Sequence, residues 1–504
     1  MNPRTRRRHG RSARRWRPSP ARRPSSTGWY GNWPSVRHRQ ARISTWELHL
    51  FSTTADFSSW FADRCRAHEY HVSRVPLDRL DGWRFQRGTG NLVHRSGRFF
   101  SVEGLDVRGA GREVDAWQQP IIVQPEYGIL GILVKRFHGV PHFLLQAKME
   151  PGNVNLVQLS PTVQATKSNY TRVHGGKPVP YLEHFITPHR GRVLHDALQS
   201  EQASWFLGKR NRNMVIEVDE EVELLDDFCW LSVSQISELL TVDNLVNMDT
   251  RTVLSGATPF RLTGFDGGTP FREALNRSWW PGAAPHRDTA ALLSWFTDAK
   301  CRSSLARQRI PLSKVSGWSR ADEAIAHDEG KHFTVVGVDV QASSREVASW
   351  SQVMLQPRSE GVIAFLAKPI NGVMHLLVQA RTETGAGDLI ELAPTIHCQP
   401  GNYPLNGARP RYLDEVIGAP RERIRFESVH SEEGGRFYHA QNRYMLVEAD
   451  DDFPTEVPEN YVWMTLRQLT EFVRYGNYIN VEARSLLTFL NFADLEPPLL
   501  RDAA

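Results

Sequence analysis

The sequence predicts an α/β (α+β) fold with mixed sheets, made by tandem duplication of one module. Three observations carry this: a long internal repeat, helical and strand periodicity mixed within each copy, and a Gly/Pro-rich segment between the copies. The first half holds Gly82-Trp83, Phe100-x-Val102-x-Gly104-x-x-Val107, Trp117, Lys135, His142 and Leu145-Gln146-Ala147-Lys148. In the second half stand Gly317-Trp318, Phe333-x-Val335-x-Gly337-x-x-Val340, Trp350, Lys368, His375 and Val378-Gln379-Ala380-Arg381, at an offset near 233. The match runs through Ser160-Pro161-Thr162 and Ala393-Pro394-Thr395. It closes with Asn247 to Arg251 against Asn480 to Arg484. Solenoid units span roughly 20–50 residues. A period this long instead marks a duplicated domain whose copies are each large enough for a core.

Each copy opens on an amphipathic helix. Phe57, Trp60, Phe61 and Arg64 share a helical face in the first, and Leu292, Trp295, Phe296 and Ala299 in the second. Pro76-Leu77 and Pro311-Leu312 mark the turns that follow. Phe99 to Val107 reads as a strand. Ile129 to Lys135 and His142 to Lys148 read as a strand pair turning at His138-Gly139. Val362 to Lys368 and Met374 to Arg381 do the same at Asn371-Gly372, a strong hairpin signal. Later strands are expected at Asn213 to Val218 and Tyr444 to Glu448, and closing helices near Ser232 to Leu240 and Leu466 to Arg474. The expected organisation is an Arg-rich disordered tail at 1–46, a first repeat at 47–255, a Gly/Pro-rich linker at 256–287, a second repeat at 288–492 and a C-terminal tail at 493–504. Trp279-Trp280 in the linker is expected to pack on a neighbouring surface.

The formal charge of +5 belongs to the tail. Residues 1–46 carry thirteen Arg and no acid; the rest sets 48 basic residues against 56 acidic ones, a net of −8. An acidic body gives no support for a nucleic-acid footprint. Four scattered cysteines without a C-x-x-C pair fit a reducing cytoplasm and argue against a disulfide frame or structural zinc. The longest apolar run, Ile129 to Val134, is far short of the roughly 20 residues that span a bilayer. Cytoplasmic localisation, with no membrane and no nucleic-acid partner, is expected.

Cofactor and metal signatures fail. Gly109-Ala-Gly111 and Gly385-Ala-Gly387 lack the third glycine of a dinucleotide turn. No phosphate-binding P-loop, H-E-x-x-H or G-x-S-x-G is present. What remains is polar residues crowded beside apolar strands: Gln146, Lys148, Glu150 and Asn153, then Thr166, Lys167, Ser168, Asn169 and Tyr170. Buried polar groups must find partners. Lys148 and Glu150 are therefore either an ion pair in a loop network or the wall of a ligand pocket. A second cluster runs Glu201, Lys209, Arg210, Arg212. Arg212 and Arg443, each at the mouth of an apolar strand face, suit a bidentate anion such as pyrophosphate, or are neutralised by Glu201 and Glu432. Tyr170 and Tyr403 read as core aromatics or site residues. His142 and His375, inside apolar strands, read as core histidines.

Several long strings in one order carry a resemblance. Trp117-x-Gln119-Pro120-Ile121, Gln146 to Asn153, Ser160 to Thr166, Ser168-Asn169-Tyr170, Ser200-Glu201-Gln202, Lys209 to Asn213 and Asn247 to Arg251 resemble the NDP-hexose 2,3-dehydratase family across about residues 45 to 492. The resemblance implies a tandem pair of Nudix-like α/β/α modules, a homodimer, and action on dTDP-4-keto-6-deoxy-D-glucose without a cofactor. It implies a product, a 3,4-diketo sugar nucleotide, that an NADPH-dependent 3-ketoreductase consumes in deoxysugar and antibiotic biosynthesis. The Nudix box is absent: Arg112-Glu113, Arg272-Glu273 and Arg345-Glu346 all lack the following Glu-Glu. A Mg²⁺-dependent hydrolysis would lack its ligands.

The chemistry needs a base for the C3 hydrogen, donors for the C4 oxyanion and an acid for the C2 hydroxyl. From side-chain chemistry, the base is assigned to Glu150 or Tyr170, enolate stabilisation to Lys148, and the acid to Tyr170 or Glu201. Gln146, Asn153, Thr166, Lys167, Ser168, Asn169, Lys209, Arg210 and Arg212 are the expected substrate-binding set. Arg381, Glu383, Asn402, Tyr403, Glu432 and Arg443 would form a second-copy nucleotide site. Because Lys148 becomes Arg381 and Lys209 becomes Ala440, the first copy is expected to do the chemistry. A non-catalytic sugar-nucleotide binder is the rival reading.

Overall fold

The strands Gly128–Phe137 and Val140–Met149 turn tightly at His138 and Gly139, both at positive φ. They pair only from Leu133 to Phe137, then diverge. Val163–Ala165 continues the ladder on the first strand and Val157–Pro161 on the second. Thr162 bridges the fork: its hydroxyl accepts from Leu133 N at 2.9 Å and donates to Leu144 O at 2.5 Å. Thr395 bridges Leu366 N and Leu377 O in the same way. The repeated Pro-Thr dipeptide is thus a device for splitting a hairpin.

The computed structural model describes residues 50–109, 116–170, 178–186, 190–257, 269–345, 347–404 and 407–492, without the side chains of Ser168 and Asn169. The expected tails lie outside these residues, as do positions 258–268 of the linker. Each copy builds a seven-stranded mixed sheet around its split hairpin. In the first, Arg210–Glu217 runs parallel to Gly128–Phe137 and Arg192–Ser200 pairs outside it. In the second, Gln441–Glu448 runs parallel to Gly361–Ile370 and Ile424–Ser431 pairs outside it. The expected mixed α/β architecture with two similar halves is present, and the opening helices form at Thr54–Ala67 and Thr289–Arg302. Among the described residues no helix is long and apolar enough to cross a membrane.

The copies exchange strands. Tyr70–Val75 of the first pairs with Phe333–Ala342 of the second, and Ala306–Ile310 of the second pairs with Ser101–Arg108 of the first. One core cluster runs through both halves, from Phe57 and Phe143 to Phe365 and Phe489. At its centre lie two buried helices, Met248–Leu254 and Val481–Phe492. Thr488 Oγ1 donates to Arg251 O at 2.5 Å and Arg484 Nε to Thr252 Oγ1 at 2.8 Å.

The segment between the copies differs from the linker expectation. Pro270–Trp279 is a helix, capped by Thr269 on Arg272 N with Pro270 in its first turn. It buries Phe271, Ala274 and Leu275, and Ser278 Oγ donates to Met374 O at 2.6 Å. Trp279 packs on the core, whereas Trp280 is 66% exposed.

Backbone from one copy also crosses into the other. Gly152 N donates to Gly434 O at 2.8 Å, and Gly385 N to Ala203 O at 2.7 Å. A Cβ on Gly152 would fall 1.9 Å from Phe437 O, and one on Gly385 1.7 Å from Phe206 O. Only a residue without a side chain fits. Gly385→Ala should therefore destabilise the fold by about 1–3 kcal/mol, the usual cost of overpacking, read as a lower midpoint in denaturant unfolding.

Candidate active site

The fork of the first hairpin opens into a cavity of about 390 Å³. Lys148 and Glu150 leave one strand on the cavity side, two residues apart as the pleat requires. Lys148 Nζ donates to Gln164 O at 2.9 Å. Gln164 Nε2 donates to Glu150 Oε1 at 2.7 Å and Asn247 Nδ2 to Glu150 Oε2 at 3.3 Å. Asn247 also caps helix Met248–Leu254, its side chain accepting from Thr250 N. Asp249, in that first turn, reaches the cavity wall too. Its carboxyl is pushed well up, chiefly by burial and then by Glu433, Glu201 and Glu150. Its Oδ1 is buried without a hydrogen-bond partner.

The opposite wall comes from the second copy. Arg345, Trp350, Gln352, Glu433 and Arg436 all line the cavity. Arg345 NH1 donates to Met149 O at 2.9 Å. Arg436 lies 4.4 Å over the Phe100 ring and donates to Gln124 Oε1 at 3.2 Å. Glu433 keeps some accessible surface because it faces the cavity, yet its Oε2 is shut off and unpartnered. Trp83, Phe99, Phe100 and Trp350 give the cavity an aromatic wall.

Of the residues singled out from sequence, Lys148, Glu150 and Thr166 line this cavity. Glu201 sits behind it, held by Asn211 Nδ2 at 2.8 Å, with its pKa raised to about 7 by burial and then Glu433. Burial lowers the pKa of Lys209, whose Nζ donates to Glu126 O at 2.5 Å. Arg210 stacks over Tyr127 at 5.6 Å. Arg212 forms a two-pronged ion pair with Asp196 at 2.5 and 2.7 Å, so neither an anion nor Glu201 takes its charge. Asn153 is fully buried and donates to Leu156 O at 3.4 Å. Gln146, Lys167 and Tyr170 are outside the cavity lining, and burial raises the pKa of Tyr170. The side chains of Ser168 and Asn169 lie outside the described residues.

In the second copy the equivalent carboxylate is already engaged. Glu383 accepts from Arg381 Nε at 2.5 Å and from Ser204 Oγ at 2.9 Å. Glu432 accepts from Gln202, Asn442 and Tyr444 at 2.8, 2.6 and 2.6 Å. Arg443 pairs with Glu360 at 3.2 Å, and Asn402 accepts from His332 N at 3.0 Å. Tyr403 is partly buried. His375 is a core histidine: burial lowers its pKa to about 4, and its ring accepts from His286 N at 2.9 Å.

Sequence reasoning missed Asp249, Glu433, Arg436 and Arg345. Asp249 stood inside a quoted string, but nothing local says that it faces the fork. The other three belong to the opposite copy, and only the strand exchange brings them in.

Two mixed sheets with split hairpins, and a cavity of carboxyls, cations and aromatic rings at the fork of the first, define a duplicated α/β protein with an acid–base site. The family model for NDP-hexose 2,3-dehydratase matches residues 54–256 and 289–490, and the chain belongs to that family. It is 56% identical over 437 residues to a dTDP-4-dehydro-6-deoxy-α-D-glucopyranose 2,3-dehydratase of Streptomyces violaceoruber, covering 86% of this chain and 96% of that one. Enzymes of the same description from Saccharopolyspora spinosa and Amycolatopsis orientalis are 51% and 48% identical, over 87% and 88% of this chain and 91% of each relative.

The seam behind the cavity predicts a pH effect. Glu391 accepts from Ser200 Oγ across the copies at 2.8 Å, and burial raises its pKa to about 7. An unfolded Glu titrates near about 4.3. The folded state therefore holds a proton that the unfolded state has released between these values. That stability is present below about pH 4.3 and is lost as pH rises toward about 7. Unfolding free energy should fall across this window, by up to about 1.4 kcal/mol per pH unit from this group, and Glu391→Gln should flatten the slope.

Proposed function

We propose that this chain catalyses the 2,3-dehydration of dTDP-4-keto-6-deoxy-D-glucose. The observation that carries the reading is the pairing of a buried, amide-held carboxylate, Glu150, with Lys148 on the wall of the cavity. The C4 ketone acidifies the C3 hydrogen. Glu150 removes it, oriented by Gln164 and Asn247. Lys148, itself largely buried, stabilises the enolate oxygen. Expulsion of the C2 hydroxyl as water then gives the enol of a 3,4-diketo sugar. No net oxidation occurs, and no cofactor is invoked. Arg345, Arg436 and Arg95 are cationic lining residues suited to a pyrophosphate, and the aromatic wall suits stacking on thymine.

The sheet architecture, used twice, supports reading the scaffold as a tandem pair of Nudix-like modules at 47–255 and 288–492 that lack hydrolytic carboxylates. The second copy, with Arg381, Glu383, Asn402, Tyr403, Glu432 and Arg443, is read as a nucleotide-binding site without turnover. The Arg381–Glu383 bond supports this, since a carboxylate held by a guanidinium is a poor base. A cytoplasmic homodimer that hands its reactive diketone to an NADPH-dependent 3-ketoreductase completes the reading.

Purified protein should convert the keto sugar to a species 18 Da lighter by mass spectrometry, with or without EDTA. Glu150→Gln should lower kcat by about 10²–10⁴, the usual contribution of general acid–base catalysis; unaltered turnover would remove it as the base. Titration with dTDP should find two sites per chain, and a single site would contradict the second-copy assignment.

A further inference from the structure

We infer that Glu433, supplied by the second copy to the first copy's cavity, is the acid that protonates the departing C2 hydroxyl. The inference rests on the dehydratase reading above and assigns the step that it left open. Hydroxide is a poor leaving group, so an acid must reach the C2 oxygen; in the gluco configuration the C3 hydrogen and the C2 oxygen lie on one face of the ring, so that acid stands close to the base. Gly435 marks the distance. A Cβ there would lie 3.3 Å from Glu433 Oε1 and 3.6 Å from Glu150 Oε1, so the two carboxyl oxygens are at most the sum, about 7 Å, apart. Within that limit both carboxyls can address adjacent carbons of one pyranose.

The loop that carries Glu433 is fixed to the first copy rather than merely near it. Arg251 NH2 donates to Ser431 O at 3.0 Å, Gly152 N to Gly434 O at 2.8 Å, and His439 N to Gly152 O at 2.7 Å. Glu433 Oε2 is shut off from solvent and has no hydrogen-bond partner, an expense that is larger for an ionised carboxylate than for a carboxyl that keeps its proton.

The duplication supplies an internal comparison. The residue equivalent to Glu433 in the first copy is Gln202, which is bonded to Glu432 and cannot release a proton. Asp249 does not discriminate in this way, because Glu482 occupies its place in the other copy. Glu201 and Tyr170 stand outside the lining. Arg436, Glu150, Lys209, Asp249 and Glu201 all act on Glu433 or respond to it. Burial raises its pKa first; Arg436 opposes that, and Glu150 adds to it.

The step balances. Glu150 takes the C3 proton, and the C3–H electron pair becomes the enolate. The enolate re-forms the C4 carbonyl as C2=C3 forms and C2–O breaks. The oxygen takes the Glu433 proton and departs as water. Glu433 is left ionised and Glu150 protonated, and proton exchange with solvent resets both.

The test follows deuterium entry at C3 and loss of water in the same D₂O reaction, by NMR and mass spectrometry. Wild type must first dehydrate the substrate; if it does not, the dehydratase reading fails and Glu433 is not at issue. Glu433→Gln should cut elimination at least 100-fold while deuterium still enters C3. Glu150→Gln should stop both. Glu433→Asp should restore part of the elimination. Elimination at wild-type rate in Glu433→Gln overturns the assignment. So does joint loss of exchange and elimination in a variant that still binds dTDP, since that marks a positioning role. If Glu433→Gln fails to bind dTDP, Glu433→Asp decides: its elimination-to-exchange ratio must fall below wild type, and an unchanged ratio overturns the proposal.

Discussion

The structure depends on two buried guanidinium groups that cross between the copies. Arg251, on the first copy's central helix, donates to Val246 O at 2.7 Å and to Ser431 O of the second copy at 3.0 Å. Arg484, its counterpart, donates to Ile479 O and to Ser200 O of the first copy, both at 2.5 Å. Neither side chain has accessible surface. A guanidinium cannot shed its charge in a protein, so leaving one unsatisfied in the core would cost several kcal/mol. The carbonyls of Ser200 and Ser431 are thereby held in place, and the loops that follow them cannot drift from the opposite copy.

Those loops are what make the cavity. Glu201 and Gln202 follow Ser200; Glu432, Glu433 and Arg436 follow Ser431. Phe206 and Phe437, a few residues on, pair with Ile122 and Leu355 through single bridges. Trp205 and Phe437 then meet at 4.4 Å. The fork of each hairpin is consequently roofed by the partner copy. Such a cavity excludes water better than one strand edge could, and water exclusion is what gives a lysine or a carboxyl its leverage on an enolate.

Much of the layout was legible because its signals are local. The helix Thr54–Ala67, the Asn371-Gly372 turn and the strands around it follow from periodicity and turn chemistry. Met248–Leu254 and Val481–Phe492 did not announce themselves. Every residue of each is buried, polar ones included, so no polar stripe exists for periodicity to find. The helix Pro270–Trp279 was hidden by the glycines and prolines around it. In the site, Lys148 and Glu150 were legible as polar residues at strand spacing beside an apolar run. Arg212 looked equally promising, but its charge is spent on Asp196 one strand away, a pairing set by register rather than by local sequence. Glu433 is farther still from Glu150 along the chain, and only the crossing arginines and the exchanged strands bring the two together.

Duplication leaves two forks with one plan, and the substitutions between them explain how a single plan divides its labour. At the first fork a lysine stands beside Glu150, and the roof contributes Glu433 and Arg436. At the second, Arg381 binds Glu383 directly, and the roof positions hold Gln202 and Trp205. The first arrangement leaves a carboxylate held by neutral amides, which fix its direction without quenching its charge. The second ties that charge to a permanent cation. The first fork therefore keeps a carboxylate able to take a proton, and the second does not. Each fork is roofed by a loop from the other copy, and Arg251 and Arg484 anchor those loops by the carbonyls of Ser431 and Ser200, so each copy's fold is needed to complete the other's fork.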